Sequence, residues 1–163
     1  MELIVKLILC YLLGSLSGAL LMGKLKKIDI REIGSGNAGG TNAYRTMGTA
    51  FALIVLFIDA LKGFISVKFI PLLPLGGLLT TNKELLPIIC GIGAVLGHVY
   101  PVYYGFKGGK GAGTMLGVLV ALFPDYLMIG IPIWLAILVF TGYVGLSTIM
   151  AGGILPIFTA FFF

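Results

Sequence analysis

The chain has 163 residues, of which 59% are hydrophobic and only 10% charged, and its 11 Lys and Arg against 6 Asp and Glu give a net charge of +5. A soluble domain carries about 25% charged residues, so this chain has too little polar surface to cover a water-soluble globule. The composition excludes a soluble enzyme or a soluble nucleic-acid-binding module and specifies an all-α polytopic membrane protein.

The first apolar segment runs from Leu3 to Gly23, with no charge between Lys6 and Lys24. It is as long as a spanning helix and follows an acidic Met1-Glu2, so it reads as a membrane span and not as a cleaved signal. The second segment, about Thr49 to Leu72, is interrupted by Asp59, Lys62 and Lys68. The third, about Leu85 to Tyr104, contains His98, the only histidine. The fourth is short, about Ala112 to Phe123, before Pro124-Asp125. Twelve helical residues extend ~18 Å, short of a ~30 Å hydrocarbon core, so this segment reads as half-spanning. The fifth runs from about Tyr126 to Tyr143 and the sixth from about Leu146 to Phe163. The fold expected is about six transmembrane or half-spanning helices in one domain over residues 1–163. Gly14, Gly18, Gly91, Gly93, Gly97, Gly113, Gly117, Gly152 and Gly153 recur within these segments, where small residues let helices approach closely. Cys10 and Cys90 lie inside apolar segments, so no disulfide framework is expected. No Cys/His cluster has metal-ligand spacing, and no metal or cofactor is expected.

Charge fixes the orientation. Lys24, Lys26, Lys27, Arg31 and Arg45 sit between the first and second segments, and Lys107 and Lys110 follow the third. An odd-even count puts both connections on one face, opposite Lys83, Glu84 and Asp125. The positive-inside rule makes that face cytoplasmic and the N-terminus external. Lys24, Lys26 and Lys27 read as an interfacial anchor for anionic lipid or substrate.

Both basic connections are rich in glycine. In Gly34-Ser35-Gly36-Asn37-Ala38-Gly39-Gly40-Thr41-Asn42-Ala43-Tyr44-Arg45, the glycines permit tight curvature, Ser35, Asn37, Thr41 and Asn42 offer donors, and Arg45 brings a planar fork suited to phosphate. A merely flexible linker needs neither that variety of donors nor the Arg. In Lys107-Gly108-Gly109-Lys110-Gly111 two lysines can flank one phosphate while the glycines let the backbone approach it. A positive-inside anchor would need the lysines but not the glycines. No P-loop or dinucleotide fingerprint is present, and no nucleic acid partner is expected. For His98 two readings stand side by side: a hydrogen bond to a neighbouring helix, or phosphate contact and proton transfer. Asp59 and Lys62, three apart on one helix, read as a buried pair bracing that helix ahead of an ion pathway.

These residues carry a resemblance. The stretch Gly34 to Asn42 with Arg45 resembles the first motif of the bacterial acyl-phosphate:glycerol-3-phosphate acyltransferases. Gly97-His98-Val99-Tyr100-Pro101-Val102, continuing to Phe106-Lys107-Gly108-Gly109-Lys110-Gly111, resembles their second motif, and Asp59-x-x-Lys62-Gly63 fits the same family. The resemblance covers nearly the whole chain. Gly40 stands where the family commonly has Ala. The family continues through a seventh helix to a third motif with His, Asn and Arg, and no residue up to Phe163 is assigned to that motif. The resemblance implies transfer of an acyl group from acyl phosphate to the 1-hydroxyl of sn-glycerol 3-phosphate, giving lysophosphatidic acid and phosphate. It implies an enzyme of phospholipid synthesis in the bacterial cytoplasmic (inner) membrane, with its active site on the cytoplasmic face and membrane lipids around it. On this reading Ser35, Arg45 and His98 are the catalytic residues. Gly36, Asn37, Gly39, Gly40, Thr41, Asn42, Lys107, Gly108, Gly109, Lys110 and Gly111 hold the phosphates. Ser35 orients a hydroxyl or binds phosphate and is not a covalent nucleophile, since no base and orienter accompany it. A second function class, a transporter or channel for an anionic phosphorylated metabolite, predicts polar stripes on several helices, and intramembrane polar residues are few.

Overall fold

The computed structural model describes residues 2–75 and 84–162; Lys83, expected on the face opposite the loops, lies outside them. All regular structure among the described residues is helical, in two compact units, Met1–Leu122 and Phe123–Phe163.

The first unit holds α1 (Glu2–Gly14), α2 (Gly18–Leu25), α3 (Gly40–Met47), α4 (Thr49–Lys68), α5 (Leu85–Val99) and α6 (Ala112–Leu122), with 3₁₀ turns at Ile30–Glu32, Ile70–Leu72 and Val102–Tyr104. Thr49–Leu72 and Leu85–Tyr104 are long and apolar enough to cross a membrane, as the sequence predicts. The predicted first span is instead two helices, bent by 43° at Ser15-Leu16-Ser17. Ser17 starts α2: its extended backbone ends one helix and its side chain accepts the Leu20 N–H. α6 has 11 residues, too short to cross alone.

α4 is the centre of this unit and packs against α1, α2, α3, α5 and α6. Glycines make that crowding possible. A methyl at Gly117 would collide with the Ala60 carbonyl across the α4–α6 contact, and one at Gly97 with the Tyr11 carbonyl across the α1–α5 contact. A cluster of Ala19, Leu20, Ile30, Ala38, Ala43, Phe51 and Val55 seats the connection between α2 and α3 on α4. Lys6, in the first turns of α1, is buried: its ammonium lies 2.6 Å from Glu2 and donates to the Pro71 carbonyl at 2.7 Å. Cys10 and Cys90 are free thiols in a small cluster with Leu86.

The second unit is a helical hairpin, α7 (Pro124–Thr141) and α8 (Val144–Phe162), turned at Gly142 in the left-handed region (φ 72°). Trp134 Nε1 donates to Thr148 Oγ1 across it at 3.1 Å. Val139 and Phe140 face outward at 79% and 88% exposure, as lipid-facing residues do. Gly152 and Gly153 differ from the glycines of α1, α2, α4, α5 and α6: among the described residues nothing lies within 4 Å of an added Cβ, so they support no close helix contact.

Candidate active site

The first Gly-rich loop is built on one buried amide. Asn42, 1% exposed, accepts the Ser35 N–H at 2.9 Å and donates to the carbonyls of Ile30 and Ile33 at 3.0 and 3.1 Å. Its side chain is therefore engaged inside the loop, where the sequence suggests a ligand donor. Gly34 and Gly36 make the tight turns between those contacts with φ of 62° and 72°. Gly39 precedes α3, whose first turn has no side-chain cap and no acidic residue. Among the described residues nothing lies within 4 Å of a Cβ added at Gly40. Ser35 is exposed and Arg45 projects from the exposed side of α3, while Asn37 and Thr41 are half-buried.

The second loop folds back on the end of α5. Phe106 N–H donates to Pro101, Gly108 N–H to Val99, and Gly109 N–H to His98, at 2.9, 3.2 and 3.2 Å. The last two bonds satisfy carbonyls that the last turn of a helix leaves open. The sequence reading turns the Gly108 and Gly109 N–H groups toward a phosphate; the structure turns them inward as a helix cap. Gly111, with φ of 82°, then leads into α6, whose first turn also lacks an acid. Lys107 and Lys110 are exposed.

The two loops meet at two points. A Cβ added at Gly109 would strike His98 Nε2 and lie 2.7 Å from the Ala38 carbonyl oxygen. The second point is a residue whose role the sequence reading misses. Arg31 holds Asp29 through Nε (3.0 and 3.1 Å) and a terminal nitrogen (2.7 Å), and its other terminal nitrogen donates to the carbonyls of Tyr104 and Lys107 at 2.9 and 3.1 Å. The guanidinium hydrogen bonds hold the Asp29 carboxyl below its usual range, with help from the Arg31 backbone N–H, and Asp29 raises Arg31 in turn. The only trace of this in the sequence is Asp29-x-Arg31, a spacing in which Asp caps a turn that carries its own partner.

Beneath the loops lies a polar node inside the helix bundle. Lys62 Nζ donates to the carbonyls of Gly14 and Leu16 at 2.6 and 2.8 Å and lies 3.2 Å from Asp59 Oδ1 and 3.0 Å from His98 Nδ1. Asp59 Oδ1 accepts the Gly18 N–H at 3.0 Å. One α4 pair thus seals both sides of the break in the first span: the cation on the carbonyls of Gly14 at the end of α1 and Leu16 in the break, the anion on the first N–H of α2. The sequence reading of a bracing pair agrees with this geometry. His98 is only 2% exposed and belongs to the node.

What remains open to a ligand is on the loop face. Among the described residues, Arg45, Lys107 and Lys110 make no ion pair. With them lie two helix starts, α3 and α6, whose first-turn N–H groups and positive dipole ends favour an anion. Exposed cations and open helix starts beside a hydrophobic bundle suit an anionic substrate with an apolar tail.

A family model described as glycerol-3-phosphate acyltransferase matches residues 4–163. Glycerol-3-phosphate acyltransferase 2 of Bacillus anthracis is 46% identical over 160 residues, 98% of this chain and 80% of that protein. The glycerol-3-phosphate acyltransferase of Chlorobaculum tepidum is 42% identical over 159 residues, 94% of this chain and 68% of that protein. Among solved structures, the glycerol 3-phosphate form of PlsY, an integral membrane glycerol 3-phosphate acyltransferase, superposes with a TM-score of 0.79 at 37% identity, covering 93% of this chain and 72% of that one. Its lysophosphatidic acid form gives 0.80 at 36% identity, covering 97% and 76%.

Proposed function

We propose, from the premise that this chain belongs to the glycerol-3-phosphate acyltransferase family, that its two loops hold the two phosphates of an acyl transfer. The chain is a multi-pass membrane enzyme that acylates glycerol 3-phosphate. The acyl donor we assign is an acyl phosphate, and the site faces the cytoplasm across the bacterial inner membrane. The positive residues support that side: Lys24, Lys26, Lys27, Arg31, Arg45, Lys107 and Lys110 all flank the two loops.

The observation that carries the reading is three exposed loop cations that make no ion pair among the described residues, Arg45, Lys107 and Lys110, beside two helix starts whose first turns carry no acidic residue. Acyl phosphate is a mixed anhydride with a good leaving group, so the protein's task is to place the acceptor hydroxyl and neutralise charge. Arg45 and the start of α3, with Gly36, Asn37, Gly39, Gly40 and Thr41 around it, hold one phosphate. Lys107, Lys110 and the start of α6 after Gly111 hold the other. Ser35, exposed on its turn, orients the 1-hydroxyl. That hydroxyl oxygen bonds to the acyl carbon, the bond from that carbon to the phosphate oxygen breaks, and the hydroxyl proton leaves on the departing phosphate. The acyl tail lies against the apolar helices. The anion-transporter reading is not favoured: the relatives are acyltransferases, and the intramembrane charges Asp59 and Lys62 are engaged by the helix break.

The test supplies the purified chain in lipid nanodiscs with labelled glycerol 3-phosphate and either palmitoyl phosphate or palmitoyl-CoA. Lysophosphatidic acid with release of phosphate from the acyl phosphate alone is expected. Product from the CoA ester alone overturns the donor assignment.

A further inference from the structure

We propose that Lys62 locks His98 as the neutral tautomer with its proton on Nε2, and that His98 is a positioning residue at the junction of the two loops. It is not the base of the reaction.

The argument starts from hydrogens on Lys62. The Gly14 and Leu16 carbonyls, at 2.6 and 2.8 Å, take two of them. Paired with the Asp59 carboxylate at 3.2 Å, Nζ as an ammonium has a third hydrogen and no lone pair. Nδ1 of His98, 3.0 Å away, can meet that group only as an acceptor. Asp59 Oδ1 also lies near Nδ1, but at 3.4 Å it is farther than the Lys62 nitrogen at 3.0 Å. With Nδ1 accepting, the ring proton is on Nε2. The side chain is 2% exposed, and Lys62 and Asp59, both on α4, are the charged side chains in contact with the ring among the described residues. From α1 the node receives backbone carbonyls.

The Nε2 edge points at one of the two places where the loops meet. A Cβ added at Gly109 of the second loop would strike Nε2 and crowd the Ala38 carbonyl of the first. The His98 carbonyl meanwhile accepts the Gly109 N–H at 3.2 Å. One residue therefore touches Gly109 with both its ring and its backbone, and the proton that Lys62 fixes on Nε2 faces the Gly109–Ala38 junction. A base needs a free lone pair toward the hydroxyl; here one nitrogen accepts from Lys62 and the other carries the proton. The node that seals the break in the first span thus also sets the register of the loops. The positioning role rests on the proposed reading of the loops; the tautomer does not.

Because the chain has a single histidine, nitrogen-15 labelling of histidine gives one ring to read. The long-range proton–nitrogen spectrum of the full chain in nanodiscs at neutral pH should show Nδ1 unprotonated and Nε2 protonated. An Nδ1-protonated or doubly protonated ring would overturn the lock. Kinetics give the second arm. His98→Gln sets an amide nitrogen near the Nε2 position and should lose several-fold less kcat/KM than His98→Asn, with the loss mostly in KM for glycerol 3-phosphate. Equal losses, or a loss confined to kcat together with disappearance of an acid limb from the pH profile, would overturn the positioning role. An Nε2-protonated ring in a chain that fails to acylate glycerol 3-phosphate would sink the loop assignment and leave the lock standing.

Discussion

The cations of the loop face and the cation of the node are opposites in the same small protein. Arg45, Lys107 and Lys110 are exposed and make no ion pair among the described residues, whereas Lys62 is 3% exposed and meets two carbonyls, a carboxylate and an imidazole. Burial is what separates their tasks. A cation in a bundle interior is tolerated only when its neighbours replace water, so Lys62 is committed to the fold. A cation at the surface keeps its water until an anion displaces it, so the loop cations stay available for substrate.

Removing one partner of the node should give the largest effect on stability. Lys62→Met leaves Asp59 buried without its counter-ion and should cost about 3–5 kcal/mol, read as a lower midpoint in thermal unfolding in detergent; pairing it with Asp59→Asn should recover much of that loss. On the loop face the effect moves to activity. Arg45→Ala should lower kcat/KM for glycerol 3-phosphate about ten- to a hundredfold, the range of one charge-assisted hydrogen bond, with an unchanged unfolding midpoint. Arg45→Lys should restore only part, because the planar fork is gone; full recovery there would contradict a two-point contact. A smaller change is expected of Arg31, which belongs to neither class. Arg31→Lys keeps a charge near Asp29 but cannot hold Asp29, Tyr104 and Lys107 together, so KM should rise several-fold with little change in midpoint.

Much of this contrast is written in the sequence, and the remainder depends on the partners that folding supplies. Gly34 to Arg45 and Lys107 to Gly111 announce themselves because glycines and cations interrupt an apolar chain. The spans are legible for the same reason: Thr49–Leu72 and Leu85–Tyr104 emerge with the predicted bounds. The break at Ser15-Leu16-Ser17 is not legible, since no Pro marks it and the groups that stabilise it, Asp59 and Lys62, come from α4. Asn42 reads as a ligand donor because its type and neighbours fit one; only the folded loop shows that the carbonyls of Ile30 and Ile33 claim it. Likewise, the inward turn of the Gly108 and Gly109 N–H groups follows from where α5 ends, at Val99.

The smallest expected effect concerns acid. Arg31 holds the Asp29 carboxyl below its ordinary value of 3.8, so the stabilisation is complete above that value and is lost as pH falls through the lower folded value. Hydrogen exchange over residues 104–107 should therefore be insensitive to pH near neutrality, after correction for intrinsic exchange, and should quicken only in strong acid. Asp29→Asn should show the loosened loop at every pH.

The most direct test of the division between substrate cations and fold cations is equilibrium binding of glycerol 3-phosphate, by titration calorimetry, to three forms of the full chain in nanodiscs: wild type, Arg45→Ala and the Asp59→Asn/Lys62→Met pair. The account predicts that Arg45→Ala weakens binding by about tenfold or more, while the double variant, once shown to be folded, keeps the loop cations and weakens binding clearly less, through the lost Lys62 contact to His98. Wild-type affinity in Arg45→Ala, or a loss in the double variant as deep as the one expected of Arg45→Ala, would contradict it.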